Sequence, residues 1–249
     1  MQPCVDRTWP LPKQPWVMRM RWSELCFAHW PAEPSTVAKW LPPGVELDTY
    51  EGSAWVGVVP FLMSDVAPRC CPAVPGISRF PELNVRTYVS VGGKPGVWFF
   101  SLDAASRFAV RLARTTFHLP YMDAKMNIHN VEDGAIEYQS RRTHRGEATA
   151  NFSARYKARG DYAIASPGSF EHWLTARYCL YSASPDGRVY RGEINHPPWE
   201  LAQADYEQHD NSMGQALGFD FDREPHVLVA KSIDVRAWLI TGCPRVATS

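Results

Sequence analysis

The sequence predicts a single α+β domain that is predominantly antiparallel β, a large and partly closed barrel with a few short helices. Three observations carry that expectation. Short β-rich runs recur with turn residues between them, one stretch alone repeats strongly with a helical period, and no shift of composition divides the 249 residues. One core of this length is common among barrels and sandwiches.

Residues 1–17 carry Pro3, Pro10, Pro12 and Pro15 among polar neighbours and are expected to form an extended arm, because proline gives up its backbone donor. The domain is placed at 18–249. Residues 34–41 read as a short helix, with Ser35 as cap and Pro42-Pro43 as stop. Two hairpins follow: 45–50 with 53–63 across Glu51-Gly52, and 82–91 with 97–101 across the glycine-rich turn 92–96.

From 103 to 117 the period turns helical. Ala105, Phe108, Ala109, Leu112 and Ala113 share one face, and Asp103 stands near the N-terminus. Strands are expected at 122–131, 135–143 and 146–158, the first two joined by Asp133-Gly134. The third alternates: Ala148, Ala150, Phe152, Ala154 and Tyr156 on one face, Glu147, Thr149, Asn151, Ser153, Arg155 and Lys157 on the other. Its basic residues, with Arg141, Arg142 and Arg145, are expected in water. A helix at 168–176 leads to a hairpin of 177–183 with 188–193 around Pro185-Asp186-Gly187, and 226–240 reads as one long strand. Periodicity does not supply the strand order.

Charge narrows the function classes. Lys+Arg and Asp+Glu are equal at 26, so no net field draws nucleic acid or an anionic membrane, and a small molecule is the expected partner, with a homo-oligomer left open. The ten Trp line a cavity as readily as they fill a core. Six cysteines show no CxxC spacing, and the vicinal Cys70-Cys71 pair is awkward to bridge, which predicts free thiols and a cytoplasmic setting. The N-terminus lacks a basic start followed by an apolar stretch, and no apolar run approaches the roughly 20 residues of a spanning helix. No GxGxxG, Walker or GxSxG motif occurs, and the eight histidines lack ligand spacing, so neither a cofactor nor a metal is expected.

The candidate chemistry gathers on one strand. Glu82, Asn84, Arg86 and Tyr88 share a face, while Leu83, Val85, Thr87, Val89 and Val91 take the other. The polar face reads as a cavity wall with Glu82 as acid or base and Arg86 as carboxylate clamp; the alternative is an exposed face with a cross-strand ion pair. Lys231 lies among Val227, Val229, Ile233 and Val235, where a desolvated amine competes with the favoured reading of a stem laid on apolar surface or a register break. His118 and His196 suit proton transfer near neutral pH or the anchoring of loops.

Several blocks in one order carry a resemblance. They are Pro81-Glu82-Leu83-Asn84-Val85-Arg86-Thr87-Tyr88-Val89, the run from Gly96 to Ala104, Ala113-Arg114 to Leu119-Pro120-Tyr121, Arg177-Tyr178-Cys179-Leu180-Tyr181, Tyr190 to His196 with Pro198-Trp199, and Asp234-Val235 with Trp238. Over about residues 18–241 the chain resembles the YqjF-like family of uncharacterised bacterial proteins, within the acetoacetate-decarboxylase-like superfamily. The resemblance implies that superfamily's barrel and cavity and matches Glu82 to an active-site glutamate of the decarboxylase. It also matches Asp103 and Arg114, read as structural because both suit the dipole of the helix between them.

One departure matters. The decarboxylase forms a Schiff base through the first of two lysines directly after the proline, where this chain has Tyr121 and Met122. A phenol forms no iminium, so decarboxylation by that route is not expected. Lys125 follows four residues on, about 13 Å along a strand and beyond the reach of its side chain. Two functions remain. One is a binding protein with a superfamily-like cavity; the other is an enzyme with lyase-like or related chemistry on a small keto or carboxylate compound. Glu82, Arg86 and Tyr121 form the catalytic set, and Asn84, Tyr88, Phe99, Ser101, His118, Lys125, His196 and Trp199 the ligand contacts.

Overall fold

Regular pairing begins where the prolines end. The computed structural model describes residues 3–244, so the first two residues of the expected arm and the last five of the expected domain lie outside it. Strands β1 (Met18–Ser23) and β2 (Leu25–Ala32) follow the arm, parted by Glu24 in the left-handed region (φ 51°). Neither was expected. Every residue from Leu25 to Trp30 is buried, so β2 lacks the alternation that marks a half-exposed strand. The arm is docked: the buried Arg7 guanidinium pairs with Glu193 and donates to the carbonyl of Ile194 (2.7 Å).

Helix α1 (Pro34–Ala38) is preceded by Glu33, which makes no side-chain capping bond, and the expected cap Ser35 lies inside it. Pro34 explains the earlier start, since its fixed φ suits the first helical position. The expected hairpin at 45–63 shrinks to a bridge between Tyr50 and Ser53. Strand β3 (Glu46–Leu47) is too short to zip onto β4 (Ala54–Pro68) and instead pairs with β5 (Phe80–Val91). The second expected hairpin is present. Strands β5 and β6 (Lys94–Ala104) are joined by Gly92 and Gly93 at φ 57° and 73°, the left-handed pair that a tight hairpin turn requires.

Helix α2 (Arg107–Phe117) starts later than the periodicity implied, with the Ser106 hydroxyl accepting from the Ala109 amide. Asp103 is no helix-terminal charge; it is buried on β6 and forked by Arg142, which also donates to Ser101 Oγ (2.8 Å). Arg142 is thereby removed from the solvent where it was expected. The buried face of α2 is centred on Val110 with Ala109 and Ala113, while Phe108 and Leu112 are 63% and 48% exposed. The expected apolar face is therefore rotated: the small alanines let the helix approach, and the two larger side chains stay outside.

Strand β7 (Tyr121–Asn130) runs parallel to β6, as a helical crossover allows, and β8 (Ile136–Arg142) and β9 (Asn151–Ile164) follow antiparallel. Helix α3 (Phe170–Thr175), capped by Ser169, precedes the hairpin of β10 (Cys179–Ala183) and β11 (Val189–Asn195), and β10 also lies parallel to β6. Strand β12 (Glu200–Asn211), which was not expected, pairs with β9. The single strand expected at 226–240 breaks at Lys231 and Ser232 into β13 (His226–Ala230) and β14 (Ile233–Ala237), with β15 (Thr241–Gly242) beyond. The break lets β13 join β2 and β14 join β1. Lys231, at that break, is exposed and paired with Glu200 (2.5 Å), so its amine is not desolvated.

The sheet closes. Taken in order, β4, β1, β14, β11, β10, β6, β7, β8, β9, β12, β13 and β2 pair and return to β4, a ring of twelve strands. Strand β5 crosses that ring, pairing with β4 on one edge and β6 on the other. Its two faces serve two apolar cores: Leu83 and Val85 pack with Trp30, Tyr138 and Phe152, whereas Phe80 packs with Phe27, Phe61, Tyr121 and Trp199. A strand buried on both sides is the position from which a polar face is held away from water.

Candidate functional site

Register across β13, β2, β4, β5, β6 and β7 arranges the site in ranks, because directly paired residues project to the same face. The first rank is His226, His29, Gly57, Arg86 and Phe99; the second is Val59, Asn84, Leu102 and Tyr121; the third is Phe61, Glu82 and Ala104. Between the first two, β6 carries a bulge: Arg86 faces Phe99 while Val85 faces Ser101, leaving Phe100 unpaired.

Glu82 is 2% exposed, and its Oε2 accepts the Tyr121 hydroxyl at 2.8 Å. Burial pushes this carboxyl up to about 8, with the hydrogen bond from Tyr121 opposing and Asp103 adding. It is therefore mostly protonated at neutral pH and available as a donor. Burial first, and then the Glu82 carboxyl, hold the Tyr121 phenol well above its ordinary range. Tyr138, whose hydroxyl donates to the Glu82 carbonyl (2.8 Å), pins the strand beneath.

Asn84 is buried, and its Oδ1 has no hydrogen-bond partner among the described residues. Arg86 is half-buried, with its guanidinium carbon 5.1 Å from the Phe27 ring centroid and 5.6 Å from that of Tyr88. Its Nη2 donates to the Tyr88 hydroxyl (3.3 Å), its Nε is unpartnered, and it forms no ion pair among the described residues. Since arginine only donates, the Tyr88 hydroxyl accepts from Arg86, and it also hydrogen-bonds His29 Nε2 at 2.6 Å. Burial, then the charge of Arg86, drives the His29 ring well below its usual value, so it is neutral. Gly57 makes this possible: a Cβ there would stand 2.8 Å from His29 Nε2.

An aromatic wall continues from Phe27. Trp199 meets Phe27 edge-on at 5.3 Å and stacks with Trp22 at 6.1 Å, and His196 packs on Trp199 at 5.2 Å. Burial lowers His196 to about 4, so this ring is neutral and its Nδ1 lies 2.8 Å from the Pro197 carbonyl. Beyond Tyr88, Arg177 pairs with Asp48 (2.5 Å) and packs against both Tyr88 (4.9 Å) and Trp173 (4.6 Å), whose ring centroids are themselves 4.7 Å apart.

The structure thus brings together Glu82, Asn84, Arg86, Tyr88, Phe99 and Tyr121, with His196 and Trp199 in the adjoining wall. Three expected contacts lie elsewhere. Ser101 is on the opposite face of β6, bonded to Arg142. His118 closes α2 in a left-handed conformation (φ 51°) with its ring on Tyr190. Lys125 is exposed, in a surface cleft with Asn127, Gln139, Arg141 and Asp210. That cleft and a second beside Glu24, Lys157 and Lys231 include neither Glu82 nor Arg86. Sequence reasoning missed Phe27, His29 and Gly57 because β2 has no alternation, and Arg177 and Asp48 because they reach the site from outside the ranks. The Leu-Cys-Phe-Ala-His-Trp run was the available signal. Among the described residues no group of three or more His, Cys, Asp or Glu side chains is placed to hold a metal ion.

Residues 19–234 match the family DUF2071, described as an uncharacterized conserved protein. The chain is 42% identical over 224 residues to the uncharacterized protein YqjF of Bacillus subtilis (strain 168), covering 90% of this chain and 91% of that one. Similar solved structures include the enduracididine biosynthesis enzyme MppR complexed with pyruvate (TM-score 0.63, 14% identity, 94% and 92% covered). Acetoacetate decarboxylase from Legionella pneumophila gives 0.62, with 14% identity over 96% and 94% of the two chains. An acetoacetate-decarboxylase-like enzyme from Sphingomonas wittichii RW1 gives 0.64, with 12% identity over 92% and 94%. At these identities the structural likenesses establish the fold, which is acetoacetate-decarboxylase-like.

Proposed function

The chain belongs to the DUF2071 family, and from that premise and the geometry of β5 we propose that it binds a small carbonyl or carboxylate compound against the Glu82–Arg86 face without forming a Schiff base. The observation that carries this reading is the guanidinium of Arg86, which lacks a carboxylate partner among the described residues and shares a buried face with a protonated carboxyl. Leaving a cation unpaired in a protein interior is costly, and a ligand carboxylate relieves that cost through charge-assisted hydrogen bonds.

The parts have separate roles. Arg86 takes the carboxylate, and because it alone of Glu82, Asn84, Arg86 and Tyr88 keeps some solvent contact, it marks the entrance. The protonated Glu82 donates to a ligand oxygen, Asn84 Oδ1 accepts from a ligand hydroxyl or amine, and Phe27 with Trp199 covers the carbon skeleton. Four strand residues from Glu82 to Arg86 span about 13 Å, with Asn84 on the same face between them. That a structure of similar fold holds pyruvate supports the ligand class.

A second reading, catalysis, is favoured by one observation. A carboxyl raised to about 8 is poised to give and take a proton near neutral pH. Such chemistry proceeds without an iminium, since none of the six lysines is buried and Tyr121 holds the position that matches the reactive amine. Free thiols at all six cysteines support a reducing, cytoplasmic setting. Calorimetric titration of pyruvate into the wild type and Arg86→Gln tests the proposal: binding lost in the variant supports it, and equal binding by both refutes it.

A further inference from the structure

Tyr88 has two guanidiniums beside its ring, a feature that goes beyond the carboxylate site proposed above while resting on it. The carbon of one, in Arg86, lies 5.6 Å from the ring centroid, and that of the other, in Arg177, lies 4.9 Å away. Arg177 is held firmly. Its Nε donates to the Trp173 carbonyl (2.7 Å), its Nη1 pairs with Asp48 (2.5 Å), and the Trp173 ring backs it at 4.6 Å. Trp173 Nε1 also donates to Asp48 Oδ1 (3.4 Å), so helix α3 fixes acid and base together.

That leaves Nη2 of Arg177 buried without a hydrogen-bond partner among the described residues, as Nε of Arg86 is. The residue is 6% exposed, so water does not satisfy it freely. Two guanidiniums beside one ring, each with one buried nitrogen lacking an acceptor, form a locus that favours an anion.

The charges around this locus can be counted. Arg86 and Arg177 are cations, and Asp48 is the anion paired with Arg177. His29 and His226 face the locus from β2 and β13 as neutral rings, both lowered chiefly by burial. Glu171 and Asp6 are directed to the rings of His226 and His172, at 3.9 and 3.7 Å. Glu82, farther along the face, is mostly protonated. Glu171 and Asp6 are thus further carboxylates near the locus, and of the two guanidiniums Arg177 has a carboxylate partner while Arg86 has none among the described residues.

We infer that Arg177 is the second arm of an anion clamp with Arg86, and that Asp48 sets this clamp for a ligand bearing a single negative charge. A second carboxylate on the ligand would meet Asp48 with no cation left to neutralise it, and an uncharged ligand would offer both orphan donors only weaker, neutral acceptors.

The test uses three compounds of similar size, pyruvate (a monoanion), ketomalonate (a dianion) and pyruvamide (neutral), with melting temperature and calorimetric affinity as readouts. The wild type should bind pyruvate at least tenfold more tightly than either of the others. Asp48→Asn keeps an acceptor for Trp173 and raises the site by one charge, so it should reverse the order and favour ketomalonate. Arg177→Lys keeps the charge but loses the fork and should weaken pyruvate about tenfold. If Asp48→Asn leaves the preference unchanged and Arg177→Lys binds as the wild type does, while Arg86→Gln still loses pyruvate, the second arm is refuted and the Arg86 site stands. Should Arg86→Gln bind all three as the wild type does, the site itself is refuted, and the clamp with it.

Discussion

The Tyr121 hydroxyl donates to Glu82 Oε2 across 2.8 Å, joining the first residue of β7 to the buried polar face of β5. The sequence resemblance implies the decarboxylase's reactive amine at this position; here a phenol hydrogen-bonds the carboxyl and cannot form an iminium. Arg114 secures the arrangement by donating to the Tyr121 carbonyl (2.7 Å), which gives that residue a positioning role beyond the helix dipole.

Glu82 makes stability depend on pH. Its folded value, about 8, exceeds the ordinary 4.5, so the folded chain holds more protons than the unfolded chain between those limits. The contribution is fully present below about 4.5 and is lost as pH rises through about 8. Melting temperatures of the wild type and Glu82→Gln from pH 5 to 9 should diverge steadily, the wild type losing ground to the variant as pH rises. Parallel curves would mean that Glu82 is ionised or solvated.

Gly57→Ala should push His29 out of line and break its 2.6 Å bond to Tyr88. The expected cost is about 1–3 kcal/mol of stability, the range for overpacking a filled core. Adding His29→Ala removes the clash, so the double variant should lose less than the two single losses added together. A denaturant-melt cycle measures this, and strict additivity would show that the two residues do not collide.

Borohydride reduction in the presence of pyruvate or acetoacetate should leave the intact mass unchanged, because Lys125 and Lys231 are exposed and no lysine adjoins Glu82. A stable adduct mapped to any lysine would restore Schiff-base chemistry to this chain.

Asp103 and Arg142 form a buried pair on the far side of β5 from Arg86. Arg142→Ala strands the Asp103 carboxyl and should cost about 3–5 kcal/mol by denaturant unfolding. A loss under about 1 kcal/mol would place the pair in water, as the sequence alone had implied.

Half-exposed elements were readable in the sequence and doubly buried ones were not. Strand β9 alternates because one side meets water, and the hairpins at Gly92-Gly93 and Asp133-Gly134 announce themselves through residues that accept left-handed backbone. The polar face of β5 was legible for a different reason: charged and amide side chains at alternate positions are rare in a buried strand and stand out against Leu83 and Val85. Strand β2 is buried on both sides and offers no period, so His29 and Phe27 were invisible. The split of 226–240 at Lys231 depends on which neighbours β13 and β14 find, and Arg142 looked solvated because its partner Asp103 lies 39 positions earlier in the chain. Long-range pairing decides these cases, and local periodicity does not contain it.

A crystal structure of the protein grown with pyruvate tests the Glu82–Arg86 site most directly. Density is expected on the inner face of β5, with the carboxylate against Arg86 and the carbonyl oxygen within hydrogen-bonding distance of Glu82 or Tyr121. Pyruvate bound only in the surface cleft beside Lys125, or a β5 face closed over by Phe27, Phe61 and Trp199 with no ligand at saturating concentration, would contradict it.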